Sequence, residues 1–281
     1  MKKFAKIDDI KHFLEEKRSA GQTIGFVPTM GALHPGHISL IERAVEETDV
    51  VVASIFVNPT QFNNPDDLKN YPRMPEADAA MLESAGTSVL FMPEVEEMYS
   101  TGFAEKPQVD LGDLEKVMEG AHRSGHFAGV VQVVSKLFDI VNPDRSYFGE
   151  KDYQQLAVIR RMTTQLRYRT AIIGCPTVRE ADGLAMSSRN LRLNPEERHA
   201  AAQINRTLHY IKQNFRTQPT ESLLAEAATQ LLSTNILHPE YLEIADAETL
   251  QSVRTNTYAQ PVRVFAAVFC GAVRLIDNMG I

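Results

Sequence analysis

Tryptophan is absent from the 281 residues, and cysteine appears only twice, at Cys175 and Cys270, with no Cys-x-x-Cys pair. That scarcity argues against a disulfide framework and a cysteine-rich zinc site; it makes a reducing compartment, the cytoplasm by default, the expectation. Basic charge is in deficit. The 29 Lys and Arg against 36 Asp and Glu leave a net charge of −7, which argues against nucleic acid or another polyanion as the main partner. Long apolar runs are missing too: the longest, Val50–Val57 and Val264–Val273, fall far short of the roughly 20 residues that span a bilayer. Both read as buried strands, and no membrane partner is expected. The opening Met1-Lys2-Lys3 is followed by mixed charges through Arg18, with no apolar stretch of the kind a secretory signal needs. A hydrophobic share of 43 % with 23 % charged residues fits a folded globular chain whose length allows roughly two domains.

What is present is an alternation of periods. Ile7, Ile10 and Leu14 recur at helical spacing, and Ile24–Pro28 follows as a short apolar strand. Leu40, Ile41, Ala44 and Val45 repeat with a helical period before the β-branched run Val50–Val57. Pro75–Ala85, Gly129–Val141 and Tyr153–Leu166 then read as helices, and Ser88–Met92, Arg145–Phe148 and Ala171–Gly174 as strands. The pattern predicts an α/β fold, a Rossmann-like parallel sheet with helices on both faces. In such sheets ligands bind at the carboxyl ends of strands, here the loops after Pro28, Val57, Phe148 and Pro176. Beyond about Asn190 the texture changes to the helices Pro195–Asn214 and Thr220–Thr234, the segment Tyr241–Ala245 and a hairpin-like pair, Arg263–Phe269 and Val273–Asn278. Two domains are expected, 1–185 and a smaller α+β lid, 186–281. The stretch Tyr99–Ala121 is too irregular to assign.

Polar residues collect in those loops. In Pro28-Thr29-Met30-Gly31-Ala32-Leu33-His34-Pro35-Gly36-His37 two histidines sit three apart where a strand turns into a helix. Free N–H groups and a positive dipole end make such a start suitable for phosphate, and the imidazoles would add donors, in protonated form once an anion binds. A capping and packing role for the two rings is the plainer alternative. In Met186-Ser187-Ser188-Arg189-Asn190 two hydroxyls and a guanidinium fall within three positions and suit a pyrophosphate, or an ordinary surface loop. In Phe148-Gly149-Glu150-Lys151-Asp152-Tyr153-Gln154-Gln155, Lys151 can reach phosphate, Asp152 a ribose hydroxyl or a helix cap, and Gln155 a polar substrate. The amides of Asn58-Pro59-Thr60-Gln61-Phe62 suit a polyol carboxylate, or mark an Asn-Pro turn. Arg123 and His126 suit a substrate carboxylate, and Asp78 a magnesium ion, although acidic residues also favour a helix's first turn. Neither cysteine has an activating neighbour in sequence, so both are expected to be structural.

Taken together, these four segments resemble the pantothenate synthetase family, over about Thr23 to Asn190; the C-terminal part matches mainly in length and texture. The H-x-G-H element alone marks only the wider nucleotidylyltransferase and class I tRNA-synthetase superfamily, whereas the Gln-bearing segments mark this family. The resemblance implies ATP-dependent joining of pantoate and β-alanine through an enzyme-bound pantoyl adenylate, releasing pyrophosphate and AMP. It implies ATP as a substrate, Mg2+, no prosthetic group and a homodimer. By the same resemblance, His34, His37, Lys151, Ser187, Ser188 and Arg189 are the catalytic set. Pro28, Thr29, Met30, Gly149, Asp152, Val178 and Met186 complete the ATP site, with Asp152 and Gly149 at the ribose and the backbone of Val178 and Met186 at adenine. Gln61 and Gln155 bind pantoate; Asn58, Gln61, Arg123 and His126 border β-alanine; Asp78 stands near the metal. Two positions depart from the family pattern: Ser124 replaces a Pro in the R-x-G-H element, and Arg192 replaces an aromatic residue. The rival readings are an adenylyltransferase that joins AMP to a phosphorylated acceptor, a class I tRNA-synthetase relative, and a non-catalytic adenylate binder.

Overall fold

The computed structural model describes residues 1–62, 65–100, 102 and 107–281. A six-stranded sheet is built from β1 (Lys2–Phe4), β2 (Ile24–Thr29), β3 (Val50–Ile55), β4 (Val89–Phe91), β5 (Arg145–Gly149) and β6 (Ala171–Cys175). Every pairing is parallel, and the order is β1-β4-β3-β2-β5-β6. The chain therefore steps outward from β2 through β3 to β4, then crosses back to place β5 on the other side of β2. The gap between the carboxyl ends of β2 and β5 is the topological switch point, where an open α/β sheet holds its ligand.

Strand residues alternate between two apolar layers, as a sheet covered on both faces requires. Phe26, Val50, Val52, Val89 and Phe91 face the layer of α1 (Ile7–Ser19), while Val27, Val51, Ala53 and Leu90 face α2 (Pro35–Glu47). Two short helices, α3 (Pro65–Lys69) and α5 (Val95–Met98), flank α4 (Pro75–Ser84). The irregular stretch 99–121 holds a 3-10 turn at Gly112–Glu115 and the start of α6 (Met118–His122) among its described residues. Next come α7 (His126–Val141) and α8 (Tyr153–Gln165), which pack with α1. The predicted strands and long helices are all present, within a few residues at their ends. β1 was unreadable because three residues are too few to display a period.

The C-terminal region holds α9 (Pro195–Asn214), α10 (Thr220–Leu232) and an antiparallel sheet of β7 (Leu237–Asp246), β8 (Val262–Cys270) and β9 (Val273–Gly280). Asn194 caps α9 and Pro195 opens it, the combination that fixes a helix start. A second apolar core forms here and already includes Leu184. Tyr241, Ala245, Leu250 and Phe265 cross over to pack on the core of the large sheet. Cys175 and Cys270 are both buried and free. Among the described residues no helix is long and apolar enough to cross a membrane.

Gly129 lets α7 approach the turn that follows β3. A Cβ there would lie 2.4 Å from the Thr60 carbonyl oxygen and 2.8 Å from Gln61 Cα. Those are backbone atoms that no rotamer change moves aside. Gly129→Ala would gain helix propensity of about 1 kcal/mol but overpack by about 1–3 kcal/mol, so a net loss near the upper part of that difference is expected. Urea unfolding checks this, and an unchanged midpoint would mean that the turn yields freely.

Candidate active site

A cleft of about 1230 Å³, partly open to solvent, lies at the switch point. Three segments converge on it: the loop from β2 into α2, the turn from β5 into α8, and the stretch Pro176–Arg189. Pro28, Thr29, Met30, His34, His37, Gln61, Gly149, Lys151, Asp152, Gln155, Val178, Met186, Ser187, Ser188 and Arg189, all singled out in the sequence, line it together. Val130, Val133, Val134 and Leu137 on α7 supply an apolar wall. Their i, i+3, i+4, i+7 spacing was visible in sequence, but a stripe facing a ligand and a stripe facing a core have the same period.

The two histidines cap α2 and line the cleft at once. His34 is the N-cap, with Pro35 as first helical residue. Its Nδ1 accepts from the Gly36 N–H at 3.2 Å, and its own N–H donates to His37 Nδ1 at 3.3 Å. The rings sit 4.0 Å apart. Because both Nδ1 atoms accept, each neutral ring must carry its proton on Nε2, leaving an N–H donor on its other edge. Burial and the nearby Lys151 charge push His34 down to about 4. Burial and His34 push His37 down to about 3. Capping therefore uses one edge of each ring and leaves the other edge, with its donor, available in the cleft. A second proton on either ring would have to sit on an Nδ1 that already accepts a backbone N–H.

Lys151 and Asp152 lie on a 3-10 turn, Glu150–Asp152, directly after β5. The Lys151 Nζ stands 3.8 Å from the Asp152 carboxylate. Gln155, one turn into α8, has no hydrogen-bond partner shown among the described residues and lines the cleft. Ser187 caps the next 3-10 turn by accepting from the Arg189 N–H. Ser188 is buried and donates to the Ala32 carbonyl at 2.9 Å, which ties its loop to the histidine loop. Met186 N–H donates to the Val178 carbonyl at 3.0 Å, closing those two segments on each other. Arg189 donates to Asp67 at 2.7 Å, and Arg192 takes the other oxygen of the same carboxylate at 2.9 Å. Asp67, and Tyr71 beneath the Arg189 guanidinium, are site residues that the sequence reading missed.

Gln61 sits on a 3-10 turn, Pro59–Gln61, held from several sides. Its Oε1 accepts from Asn58 Nδ2 at 3.2 Å, and among the described residues its Nε2 donates to the Met30 sulfur at 3.0 Å. A thioether is a weak acceptor, so a substrate oxygen would readily replace it. His126, kept neutral by burial and the Arg123 charge, which lower it to about 4, contacts the Gln61 carbonyl at 2.8 Å. A carbonyl only accepts, so this ring carries its proton on Nδ1.

Asn58 and Asp78 are both engaged within the protein. Asn58 is 1 % exposed. Its Nδ2 donates to Gln61 and to the Gly129 carbonyl, while its Oδ1 accepts from Tyr99 and Thr60. Its polar capacity is used in holding the Gln61 turn. Asp78 accepts from the Ala32 N–H at 2.8 Å with one oxygen and from the Leu33 N–H at 2.7 Å with the other. Backbone takes the carboxylate that was expected near a metal, and among the described residues no group of three or more His, Cys, Asp or Glu side chains is placed to hold one.

Arg123 and His126 line a second cavity of about 380 Å³, which shares Lys151, Asp152 and Gln155 with the main cleft and is closed by residues of β7, β8 and β9. Arg123 donates to Glu119 at 3.3 Å; Arg274 of β9 grips the same carboxylate with two bonds, 2.9 and 2.7 Å. Burial would raise the Glu119 pKa, but the two guanidiniums outweigh it and hold it down to about 2.

The sequence model of the pantoate-beta-alanine ligase family matches residues 2–280. Pantothenate synthetases of Porphyromonas gingivalis and Bacteroides fragilis are 50 % and 48 % identical over 279 residues, covering 99 % of this chain and 99 % and 98 % of theirs. The crystal structure of the pantothenate synthetase from Thermus thermophilus superposes with a TM-score of 0.92 at 43 % identity, covering 99 % of each chain. That of the Francisella tularensis ligase, solved in complex with beta-gamma ATP and β-alanine, gives 0.84 at 38 % identity, covering 100 % of this chain and 97 % of that one. With that extent of match in sequence and in fold, the chain belongs to the pantoate–β-alanine ligase family.

Proposed function

We propose that this ligase works in two half-reactions in the cleft at the switch point, through an enzyme-bound pantoyl adenylate. The observation that carries the reading is that phosphate donors and the pair Gln61 and Gln155 line one cleft. A pantoate carboxylate oxygen attacks the α-phosphorus of ATP. An O–P bond forms, the bond to the bridging oxygen breaks, and pyrophosphate leaves. Negative charge grows on the phosphate oxygens, where the Nε2–H groups of His34 and His37, the Lys151 ammonium, Ser187 and Arg189 serve as donors. Ser188 acts by holding its loop to Ala32. Gln61 exchanges its thioether partner for pantoate, and Gln155 binds the same substrate from α8. Gly149 and Asp152 take the ribose, and the backbone at Val178 and Met186 the adenine, with Pro28, Thr29 and Met30 shaping the wall.

In the second half-reaction the β-alanine amine attacks the carbonyl carbon of the mixed anhydride. A C–N bond forms, the C–O bond to AMP breaks, and the amine loses a proton. The second cavity, bordered by Arg123 and His126 and joined to the cleft at Lys151, Asp152 and Gln155, supports entry of β-alanine. Exclusion of water protects the anhydride meanwhile. Magnesium fits as a companion of the ATP phosphates, the usual way this ion binds nucleotide sites. A cytoplasmic homodimer, with 186–281 as the smaller domain, completes the reading, and sedimentation checks the pairing.

Pantoate-dependent exchange of labelled pyrophosphate into ATP, with β-alanine withheld, tests the first half-reaction, and AMP release on adding β-alanine tests the second. No exchange despite ATP binding would overturn the adenylate route. Within that assay His37→Asn keeps an acceptor for the His34 N–H and loses the Nε2 donor, whereas His37→Gln keeps a donor near Nε2. His37→Asn and His37→Ala should lower adenylate formation by about 10²-fold, the size of one lost transition-state donor, and His37→Gln by less. A His37→Asn variant as active as the wild type would assign His37 to capping alone.

The depressed histidines set a pH signature. An unfolded chain protonates its imidazoles near the ordinary 6.5, while His34 and His37 in the fold do so near 4 and 3. Their neutral burial is therefore compatible with full stability above 6.5, and stability is lost as the pH falls from there through those values. Imidazole nitrogen spectra at pH 6 should show both rings neutral with the proton on Nε2. A cationic ring at that pH would contradict the donor assignment.

A further inference from the structure

The turn that presents Lys151 has little to hold it from within. It follows Gly149, beside which no atom lies within 4 Å of a would-be Cβ, and runs for only three residues before α8 begins. Its support comes from the far end of the chain. Asn278 of β9 is 3 % exposed. Its Nδ2 donates to the Glu150 carbonyl at 2.9 Å and to the Lys151 carbonyl at 2.8 Å. Its Oδ1 accepts from Arg263 of β8, whose guanidinium stacks 4.0 Å over the Tyr153 ring and reaches the Glu150 carboxylate at 3.4 Å.

We propose that Asn278 is a positioning residue for Lys151: its carboxamide fixes the peptide planes of Glu150 and Lys151 and so aims the lysine at the phosphates. Both amide hydrogens and the amide oxygen are engaged, each with a partner of the right polarity. The residue type is therefore specified. Aspartate, though of the same shape, would place oxygen against two carbonyl oxygens and leave them without donors. Hydrogen bonds to main-chain oxygens act on the direction of the Lys151 Cα–Cβ bond, not on the ammonium itself. The effect on rate must therefore pass through the lysine. A displacement of about 1 Å at a charged donor is enough to cost on the order of 10²-fold in rate.

The proposal rests on Lys151 serving the adenylate-forming step, and a double-mutant cycle separates the two claims. Pyrophosphate exchange at saturating ATP and pantoate is measured for the wild type, Lys151→Gln, Asn278→Asp and the double variant. Asn278→Asp is expected to lower exchange by about 10- to 100-fold in the wild-type background and by less than about twofold once Lys151 is gone. If Asn278→Asp fails to fold, Asn278→Ser, which removes the donor without adding charge, takes its place in the cycle. Equal losses in both backgrounds would make Asn278 a general support of the fold and overturn the proposal, as would an unchanged rate in the wild-type background. An unchanged rate for Lys151→Gln would instead refute the lysine's role, and the proposal with it.

Discussion

The cleft depends on one buried carboxylate. After β2 the chain turns through Gly31 and Ala32, both with positive φ, +82° and +50°. For a residue with a side chain that region costs about 1–2 kcal/mol. Asp78, 2 % exposed on α4, accepts the N–H of Ala32 and of Leu33. A buried anion without donors would be strongly unfavourable, and so would the turn without acceptors; each removes the other's penalty through two charge-assisted bonds. Ala32 also offers its carbonyl to Ser188. A single residue thus joins the histidine loop, α4 and the segment that ends in Arg189.

Held in that way, the cleft relies on neutral donors more than on charge. Two imidazole N–H groups cost less to bury than two cations, and burial itself keeps them neutral. Of the guanidiniums, Arg189 already shares Asp67 with Arg192, and Arg123 already shares Glu119 with Arg274. Lys151 remains the cation closest to the histidines in electrostatic effect. Beside the apolar wall of α7 the donors are already fixed in place, and preorganised donors are where electrostatic stabilisation of a growing charge is strongest.

The sheet was legible because buried parallel strands and amphipathic helices carry different periods, and the switch point followed from the alternation. The placement of His34, His37, Lys151 and Gln61 around that switch point was legible for the same reason. Other roles were not. Asn58 and Asp78 carry the polarity of ligands, and sequence cannot say that backbone N–H groups, a tyrosine hydroxyl or a neighbouring amide will occupy them first. Asp67 lies in a run of polar residues with no period, and its two arginine partners are more than a hundred positions away. Arg192, a departure from the family pattern, acquires a physical reason only when that carboxylate is seen between two guanidiniums.

The C-terminal region resembled the family mainly in length and texture, yet the family model runs through it to residue 280 and its geometry is tied to the cleft. Adjacent strand residues project to opposite faces. Asp277 takes the Arg179 guanidinium with two bonds, 2.7 and 3.0 Å, and Asn278 takes the Lys151 turn. Arg179 leads into the segment that carries Ser187 and Arg189, so one strand sets the spacing between two of the segments that line the main cleft. Such a brace works only if its register is certain, because a slip of one residue would exchange the two faces. β8 and β9 pair without interruption from Cys270 opposite Val273 to Arg263 opposite Gly280, and the tight hairpin at Gly271, where φ is +55°, starts that count. The small sheet thus closes the second cavity and also braces two of the segments that line the main cleft.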